Sequence, residues 1–292
     1  MRISQIELVS PKTLRECLTF LADEHVDARV IAGGTDAVVR MKEGKWRPAL
    51  WINIKRIAEL RYIREEHGLI HIGPLTTHAE LIQSPLLQEK AGVLVQAARQ
   101  VGAVQIQNIG TIGGNIGTAS PAGDTLPALS VLGAELELLS LQGKRKVGME
   151  EFFTDPGRTI LKKGEIIGSI IIRPMEKNEI GIFEKLGPRK AQAISIVNVA
   201  ILLRMQGTGR VSAGGRIAFG AVAPTIIRAR ACEALLPQQP LDEAVVETIA
   251  KQARLEVMPI SDIRASAAYR REMACALVKR GLYRLMRRWE CR

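Results

Sequence analysis

Two short glycine-rich segments contain the residues best suited to bind an anionic ligand. The first reads Ala32-Gly33-Gly34-Thr35-Asp36, and the second reads Thr111-Ile112-Gly113-Gly114-Asn115. A glycine can adopt a positive φ and lets a ligand approach the backbone, so that consecutive N–H groups turn toward an anion. A helix that starts just after such a turn adds a partial positive charge of ~0.5 at its N-terminus. Because each pair also has a threonine beside it, we predict that the two turns hold the diphosphate of a dinucleotide from opposite sides.

Other kinds of site have little support in the sequence. Neither turn matches G-x-G-x-x-G, and no G-x-x-x-x-G-K-[ST] sequence occurs, so Rossmann and nucleoside-triphosphate sites lack their main signatures. The four cysteines lie far apart and the four histidines form no H-E-x-x-H sequence. We therefore predict neither a metal site nor an iron–sulfur cluster on this chain. No Ser-His-Asp order or acid–base dyad is visible, so we assign no catalytic side chain.

Composition predicts a folded protein without a membrane span. The 292 residues are 47% hydrophobic and 24% charged, which suits two domains or one large domain. No segment approaches the ~20 apolar residues that cross a bilayer, and the N-terminus lacks the apolar region of a signal peptide. We expect a cytoplasmic location.

The positive charge is concentrated near the C-terminus. The net charge is +11, and residues 251–292 contain 11 Lys or Arg against 4 Asp or Glu. Apolar residues recur there at helical spacing between the basic ones, which predicts an amphipathic helix with a solvated basic face. No aromatic-rich strand motif or DNA-binding motif accompanies this helix, so contact with solvent or an acidic partner is favoured over nucleic acid.

A small α/β unit is predicted to position the first glycine turn. Ser10 and Pro11 predict the start of a helix that runs to about residue 22. Residues 28–31 form a predicted strand that leads directly into the turn, a helix follows from Thr35, and residues 50–54 form a second strand. This unit, about residues 1–58, is too small to fold independently and needs a neighbour.

The second glycine turn belongs to a predicted unit at residues 59–176. Its predicted strands are at 61–64, 69–72, 135–141, 144–147 and 166–173, and its predicted helices are at 77–82, 87–101 and 126–132. A polar segment after Pro174 predicts a boundary near residue 176. Beyond it, strands at 180–185, 194–205 and 211–219, with a hairpin turn at Gly207-Thr208-Gly209, predict a small antiparallel sheet. Helices predicted at 229–236, 241–255 and 266–289 would cover one face of it.

Six motifs occur in order between residues 30 and 270. They are VIAGGTD at 30–36, QNIGTIGGNI at 107–116, ASPAGDTLPAL at 119–129, FEKLGPR at 183–189, FGAVAPT at 219–225 and RASAAYR at 264–270. Together they resemble the medium, FAD-binding subunit of the xanthine dehydrogenase and CO dehydrogenase family. The resemblance implies an α+β fold with a PCMH-type FAD-binding domain at residues 1–176, made of two α/β subdomains. A C-terminal domain at residues 177–292, with an antiparallel sheet and helices, would follow.

The resemblance also implies which residues contact FAD. They are Val30, Ile31, Ala32, Gly33, Gly34, Thr35, Asp36, Ala37, Val101, Thr111, Ile112, Gly113, Gly114, Asn115, Asp124, Ile167 and Lys185. Asp124 would accept hydrogen bonds from ribityl or ribose hydroxyls, the alternative being a helix N-cap. Lys185 would offset negative charge on the reduced flavin or the diphosphate, the alternative being an exposed strand residue. Segment 189–194 has no Tyr or Asp, although some relatives place one near the flavin ring.

As a member of this family, the chain would act within a molybdenum hydroxylase. Electrons would arrive from [2Fe–2S] clusters on a small partner subunit and leave through FAD to NAD⁺ or another acceptor. A large partner subunit would carry the molybdopterin and determine the organic substrate. Two other hypotheses remain at this point: a self-contained flavin-dependent oxidase or dehydrogenase, and a basic nucleic-acid-binding protein.

Overall fold

The first glycine turn lies at the carboxyl end of a small parallel sheet. In the computed structural model, which describes residues 7–206, 210–211, 214–236 and 241–290, three strands pair in the order β1-β3-β2. These strands and the helices that connect them are β1 (Glu7–Val9), α1 (Leu14–Ala22), β2 (Ala28–Ile31), α2 (Ala37–Lys42) and β3 (Leu50–Asn53). The predicted start of the first helix is wrong by three residues, because Thr13 rather than Ser10 caps α1. The Thr13 hydroxyl accepts the N–H of Glu16 at 3.2 Å.

The second unit is an antiparallel five-stranded sheet with helices packed on it. Its strand order is β4-β5-β10-β6-β7. After a short 3₁₀ turn at Ala58–Leu60, the strands are β4 (Ile63–Glu66), β5 (Leu69–Ile72), β6 (Glu135–Ser140), β7 (Gly143–Gly148) and β10 (Ile166–Ile172), while β8 (Phe153–Asp155) and β9 (Arg158–Thr159) form a separate pair. The helices are α3 (His78–Gln83), α4 (Pro85–Lys90), α5 (Gly92–Arg99), α6 (Val104–Ile109), α7 (Ile112–Thr118), α8 (Thr125–Val131) and α9 (Met149–Phe152).

Two differences from the predicted helices matter for the site. The single helix predicted over residues 87–101 is divided into α4 and α5 at Ala91, whose φ of −147° is not helical. The second glycine segment is not an open turn, because its glycines lie within α7. Thr111 caps this helix, and its hydroxyl accepts the N–H of Gly114 at 3.1 Å.

The C-terminal sheet is covered on both faces. Its strands pair antiparallel in the order β11-β12-β14-β15, with β13 on the far end of β12. They are β11 (Glu179–Leu186), β12 (Val197–Gln206), β13 (Arg210–Val211), β14 (Arg216–Gly220) and β15 (Ile227–Arg228), followed by α10 (Arg230–Ala234), α11 (Glu243–Glu256) and α12 (Ala267–Glu290). Helix α12 packs on one face, as predicted, but α5 and α8 of the second unit pack on the other. One core cluster therefore joins Leu94 and Leu129 to Phe183 and Leu202.

The fold class predicted from the sequence is confirmed, while the proposed domain limits remain predictions. The boundary proposed near residue 176 lies in the segment that connects β10 to β11. The predicted hairpin turn Gly207-Thr208-Gly209 lies outside the described residues.

Several basic side chains of the C-terminal helix α12 form ion pairs with other elements of the protein. Arg280 and Arg284 each contact the carboxylate of Glu184 at 2.6 Å, and that side chain is only 4% exposed. Lys279 pairs with Glu247 on α11. The side chains of Lys279, Arg280 and Arg284 nevertheless remain 41%, 47% and 58% exposed, so the predicted solvated basic face is present and its ion pairs also tie α12 to β11 and α11. Within the described ranges, no helix is long and apolar enough to cross a membrane.

Candidate cofactor site

A large cavity lies where the parallel sheet, the second unit and the loop between β11 and β12 meet. Its volume is about 1160 Å³, slightly above the roughly 300–1,000 Å³ of ordinary small-molecule sites. Five stretches supply most of its wall, namely residues 24–37, 110–124, 157–167, 189–194 and the neighbourhood of Val101. The carboxyl ends of parallel strands are a frequent place for ligands in α/β folds, and β2 ends at this cavity. The cavity is large enough for an elongated ligand such as a dinucleotide.

Fifteen of the seventeen predicted cofactor contacts line this cavity. The exceptions are Ile112 and Lys185. Ile112 is fully buried in the core of the second unit, since it lies on the face of α7 that packs away from the cavity. Residues from both glycine segments, together with Val101, Asp124 and Ile167, are thus brought together from positions more than 130 residues apart. Their contact with a cofactor remains a prediction.

The first glycine segment has the properties expected of an anion site. Gly34 has a φ of +76°, a conformation that favours glycine. Within the described part of the chain, the four amides of residues 33–36 donate to no protein acceptor. The carbonyl of Gly34 already accepts the N–H of Val38 at 3.0 Å, so the helix begins here. Free N–H groups at a strand–helix turn are suited to a phosphate.

The second glycine segment differs, because its amides are bonded within the protein. The four hydrogen bonds run from Ile112 N to Thr76 O at 2.9 Å, from Gly113 N to Pro74 O at 2.9 Å, from Gly114 N to Thr111 Oγ1 at 3.1 Å and from Asn115 N to Thr111 O at 2.9 Å. The prediction that both segments present free amides is therefore wrong for the second. Its glycines permit close packing instead, since a Cβ on Gly113 would overlap the Pro74 ring. Gly113, Gly114 and Gly117 give the cavity a wall without side chains.

Gly33 makes the equivalent close approach in the first segment. A Cβ at this position would lie 2.8 Å from the carbonyl carbon of Ile109, 3.0 Å from Gly110 Cα and closer still to the Ile109 oxygen. The backbone of the first turn is thus in direct contact with the segment between α6 and α7. Two hydrogen bonds also cross the seam, by which we mean the contact between the unit of the parallel sheet and the second unit. They run from Thr118 Oγ1 to Asp36 Oδ2 at 3.2 Å and from Lys163 Nζ to Glu24 O at 2.7 Å.

Asp124 is the centre of a buried polar network at the cavity wall. Its Oδ2 accepts the Lys185 ammonium at 2.6 Å, and its Oδ1 accepts the Ser195 hydroxyl at 2.6 Å and the Asn198 amide at 2.9 Å. Lys185 also donates to the carbonyl of Gln100 at 2.8 Å. Burial raises the pKa of Asp124, and the Lys185 ammonium and the two hydrogen-bond donors oppose that rise.

Both structural alternatives considered for this pair are wrong. Asp124 precedes α8 but makes no capping hydrogen bond. The Lys185 side chain is 6% exposed, so it is not a solvated strand residue. The network instead ties the start of α8 to strands β11 and β12, across the two sheets.

Several cavity residues were not predicted from the sequence. The guanidinium of Arg29 lies over the Trp46 ring at 4.3 Å, and Lys162 and Lys163 also belong to the wall. In the loop between β11 and β12, Gln192 donates its N–H to Gly102 O at 2.9 Å, which holds this loop against the second unit. His78, on the first turn of α3, is another cavity residue of this kind. Only the Thr77-x-x-Glu80 capping box was a local signal near it.

The described residues contain no cluster of three or more His, Cys, Asp or Glu side chains that could hold a metal ion. Of the three cysteines described, Cys17 and Cys232 are buried, and burial raises the pKa of the Cys17 thiol to about 12. These thiols therefore offer no reactive thiolate at neutral pH.

Comparison with known proteins identifies the family of both parts of the chain. Residues 4–174 match the FAD binding domain in molybdopterin dehydrogenase, and residues 183–285 match the CO dehydrogenase flavoprotein C-terminal domain. The nicotinate dehydrogenase FAD-subunit of Eubacterium barkeri is 32% identical over 95% of both chains. The carbon monoxide dehydrogenase medium chain of Hydrogenophaga pseudoflava is 33% identical over 95% of this chain and 96% of its own.

Solved structures give the same result for the fold. A structure of carbon monoxide dehydrogenase from Hydrogenophaga pseudoflava superimposes with a TM-score of 0.94, at 33% identity and over 99% of both chains. Quinoline 2-oxidoreductase from Pseudomonas putida 86 superimposes with a TM-score of 0.92, at 28% identity and over 98% of this chain and 99% of its own. The resemblance inferred from the six motifs is confirmed: the chain belongs to the FAD-binding medium subunits of the molybdenum hydroxylase family of oxidoreductases.

Proposed function

We propose that this chain holds FAD in the seam cavity and passes electrons from iron–sulfur clusters on a partner subunit, through the flavin, to NAD⁺ or another acceptor. The partners would be a large molybdopterin-binding subunit and a small iron–sulfur subunit, with the complex in the cytoplasm. One observation carries the binding site: the four amides of residues 33–36, free of protein acceptors in the described chain, at the edge of a 1160 Å³ cavity. Free amides at a strand–helix turn are a common phosphate site.

The cavity residues would divide the work of binding. The amides of residues 33–36 would hold the diphosphate, and the side-chain-free wall at Gly113, Gly114 and Gly117 would let the cofactor lie against α7. Lys162 and Lys163, which also line the cavity, would add positive charge. Bound flavin supplies the electron-transfer chemistry, and the chain supplies binding and orientation.

We propose a revised role for Asp124 and Lys185. Three protein donors already bind the Asp124 carboxylate, and the Lys185 ammonium is bonded to Asp124 and Gln100. Neither group needs a cofactor to satisfy its hydrogen bonds. The pair would act by fixing the wall of the cavity where the second unit meets β11 and β12.

The first test is the cofactor content of the purified full chain. We expect bound-flavin absorbance in the visible range and release of FAD, identified by chromatography, when the protein is denatured. A chain that is colourless and cannot be reconstituted with FAD would remove the proposal.

A charge reversal tests where the diphosphate lies. Thr35 lines the cavity beside the free amides and is partly exposed, so a longer polar side chain can be accommodated there. Thr35→Glu places a carboxylate near the phosphates, and two like charges about 5 Å apart repel by about 1 to 3 kcal/mol at effective dielectric constants between water and the protein surface. We expect Thr35→Glu to bind FAD about tenfold to a hundredfold more weakly than its neutral isostere Thr35→Gln. Equal affinities in the two variants would place the diphosphate elsewhere.

Coexpression tests the proposed partners. The chain should elute in a complex with a molybdopterin-binding subunit and an iron–sulfur subunit encoded with it, and the organic substrate should reduce the flavin only in that complex. Reduction of the isolated chain by an organic substrate would support the alternative of a self-contained flavin enzyme.

A further inference from the structure

His78 lies on the cavity wall in a position fixed by its backbone. It is the first residue of α3, and Thr77 and Glu80 form a capping box around it, in which the Glu80 carboxylate accepts the N–H of Thr77 at 2.8 Å. The N–H of His78 donates to Gly110 O at 3.1 Å, and Thr77 forms a β-bridge with Thr111. The residue is thereby attached to the segment that leads into α7, beside the second glycine segment.

The imidazole ring of His78 has no hydrogen-bond partner within the described chain. His78 is among the residues that line the cavity although it is only 2% exposed, and its Nδ1 is buried without a partner. The Cδ2 edge packs on Gly110, where an added Cβ would lie 3.3 Å away. A buried polar group without a partner destabilises a fold by about 1–3 kcal/mol, so each such group calls for an explanation.

We propose that His78 is a cofactor-contacting residue whose imidazole forms a hydrogen bond with a polar atom of the FAD bound in this cavity. The proposal rests on the proposed function, which locates FAD here. The backbone amides of the neighbouring wall do not supply such a bond, because those from Ile112 to Asn115 are already bonded within the protein. His78 thus provides the polar contact that the second glycine segment does not.

Burial determines the protonation state of the His78 ring. It lowers the pKa of His78 to about 4, so the imidazole is neutral at physiological pH. A neutral imidazole has one N–H donor and one acceptor nitrogen and can therefore match either kind of polar atom on the cofactor. The hydrogen bond would orient the cofactor without adding charge to the site.

The competing interpretation is that His78 merely fills space. A substitution by phenylalanine distinguishes the two interpretations. His78→Phe keeps a planar ring of similar size but removes both nitrogens. If the ring is a filler, FAD affinity should be unchanged. If it bonds to FAD, the affinity should fall about twofold to tenfold, the range for a single neutral hydrogen bond. The apo chain should meanwhile be at least as stable as wild type, because the unpaired buried nitrogen is gone.

The test uses the full chain stripped of flavin, with FAD itself as the probe. FAD affinity is measured by fluorescence titration, and apo stability by urea unfolding, for wild type, His78→Phe and the control His71→Phe. His71 lies on β5 and does not line the cavity, so its variant should bind FAD like wild type. His78→Asn and His78→Gln, which return a polar atom near the positions of Nδ1 and Nε2 respectively, should restore part of the affinity.

A second measurement requires no variant to fold. The chain has four histidines, so ¹⁵N-histidine labelling gives few ring signals, and those of His78 are the ones that should shift when FAD is added. Unmoved His78 signals together with wild-type affinity in His78→Phe would overturn this proposal while leaving FAD binding intact. Failure of wild type to bind FAD at all would overturn the proposed function and this inference together. If His78→Phe does not fold, the ring signals of wild type decide alone.

Discussion

The close approach of Gly33 to the backbone of the second unit yields the most direct prediction. In Gly33→Ala the new Cβ would lie 2.8 Å from the Ile109 carbonyl carbon, 3.0 Å from Gly110 Cα and nearer still to the Ile109 oxygen. Non-bonded carbon atoms normally sit about 3.5–4.0 Å apart, so the two backbone segments must separate. The Ile109–Gly110 segment cannot yield easily, because Gly110 donates to Ile106 O and accepts from His78 N. Overpacking of this kind costs about 1–3 kcal/mol, and more where the obstacle is backbone.

We expect Gly33→Ala to lower the free energy of unfolding of the apo chain by at least that amount and to weaken FAD binding. The second effect follows because the free amides of residues 33–36 would move away from α7. Urea unfolding and FAD titration on the same preparations measure both quantities.

Gly117→Ala is the matched control for this variant. Gly117 also lines the cavity, but an added Cβ there has no atom within 4 Å, and alanine is a better helix former than glycine by about 1 kcal/mol. This variant should leave apo stability unchanged or raised, and any loss of FAD affinity would report only the methyl group in the cavity. Wild-type stability in Gly33→Ala would refute the argument that this glycine is required by packing at the seam.

Two further predictions concern buried ionisable groups. Asp124→Asn leaves the buried Lys185 ammonium without its counter-ion, so this variant should destabilise the chain by about 3–5 kcal/mol. Adding Lys185→Met should recover much of that loss. A double-mutant cycle by urea unfolding measures the coupling between the two residues, and additive effects would contradict the prediction. The pKa of His78 is about 4 in the folded chain and about 6.5 in the unfolded chain, so the unfolded state binds more protons between these pH values. The free energy of unfolding of the apo chain should therefore fall by about 3 kcal/mol as the pH falls from 6.5 to 4. The difference in unfolding free energy between wild type and His78→Phe across that pH range isolates this contribution, and a difference that does not vary with pH would contradict it.

The first glycine segment could be predicted from sequence because its signals are local. A buried strand, two glycines and a following helix occur within about fifteen residues, and the positive φ of Gly34 is a property that glycine itself allows. The parallel sheet and the cavity at its end then follow from a general rule of α/β folds. Strand β1 was missed, because three residues that are mostly exposed leave no apolar pattern to detect.

The second glycine segment could not be distinguished from the first by sequence. Helix α7 contains Gly113, Gly114 and Gly117, and each glycine disfavours a helix by about 1 kcal/mol relative to alanine, so local propensity predicts a turn. Tertiary contacts override this preference. The amides of the first turn of α7 bond to carbonyls at 74 and 76, and the absence of side chains lets the helix lie against Pro74. Nothing in a local reading of residues 111–115 indicates those partners, which are about 35 residues away.

The same limit applies to Asp124 and Lys185. Asp124 lines the cavity and Lys185 does not, and the partners of Asp124 are 61 to 74 residues away along the chain. Only the folded chain shows that the two side chains bond to each other. A pairing of this kind changes the expected role of both groups from cofactor ligands to components of the wall.

A cofactor held mainly by main-chain atoms, as proposed for residues 33–36, would place few demands on side chains. The free N–H groups of residues 33–36 exist whatever the side chains are, provided that Gly34 can hold its positive φ and Gly33 can touch Ile109. Most other wall positions need only leave room for the ligand. The fold as a whole also tolerates extensive side-chain change, since this chain keeps a TM-score of 0.94 to a carbon monoxide dehydrogenase structure at 33% identity. Differences in how the cofactor is held should therefore arise at the polar side chains of the lining residues, His78 among them.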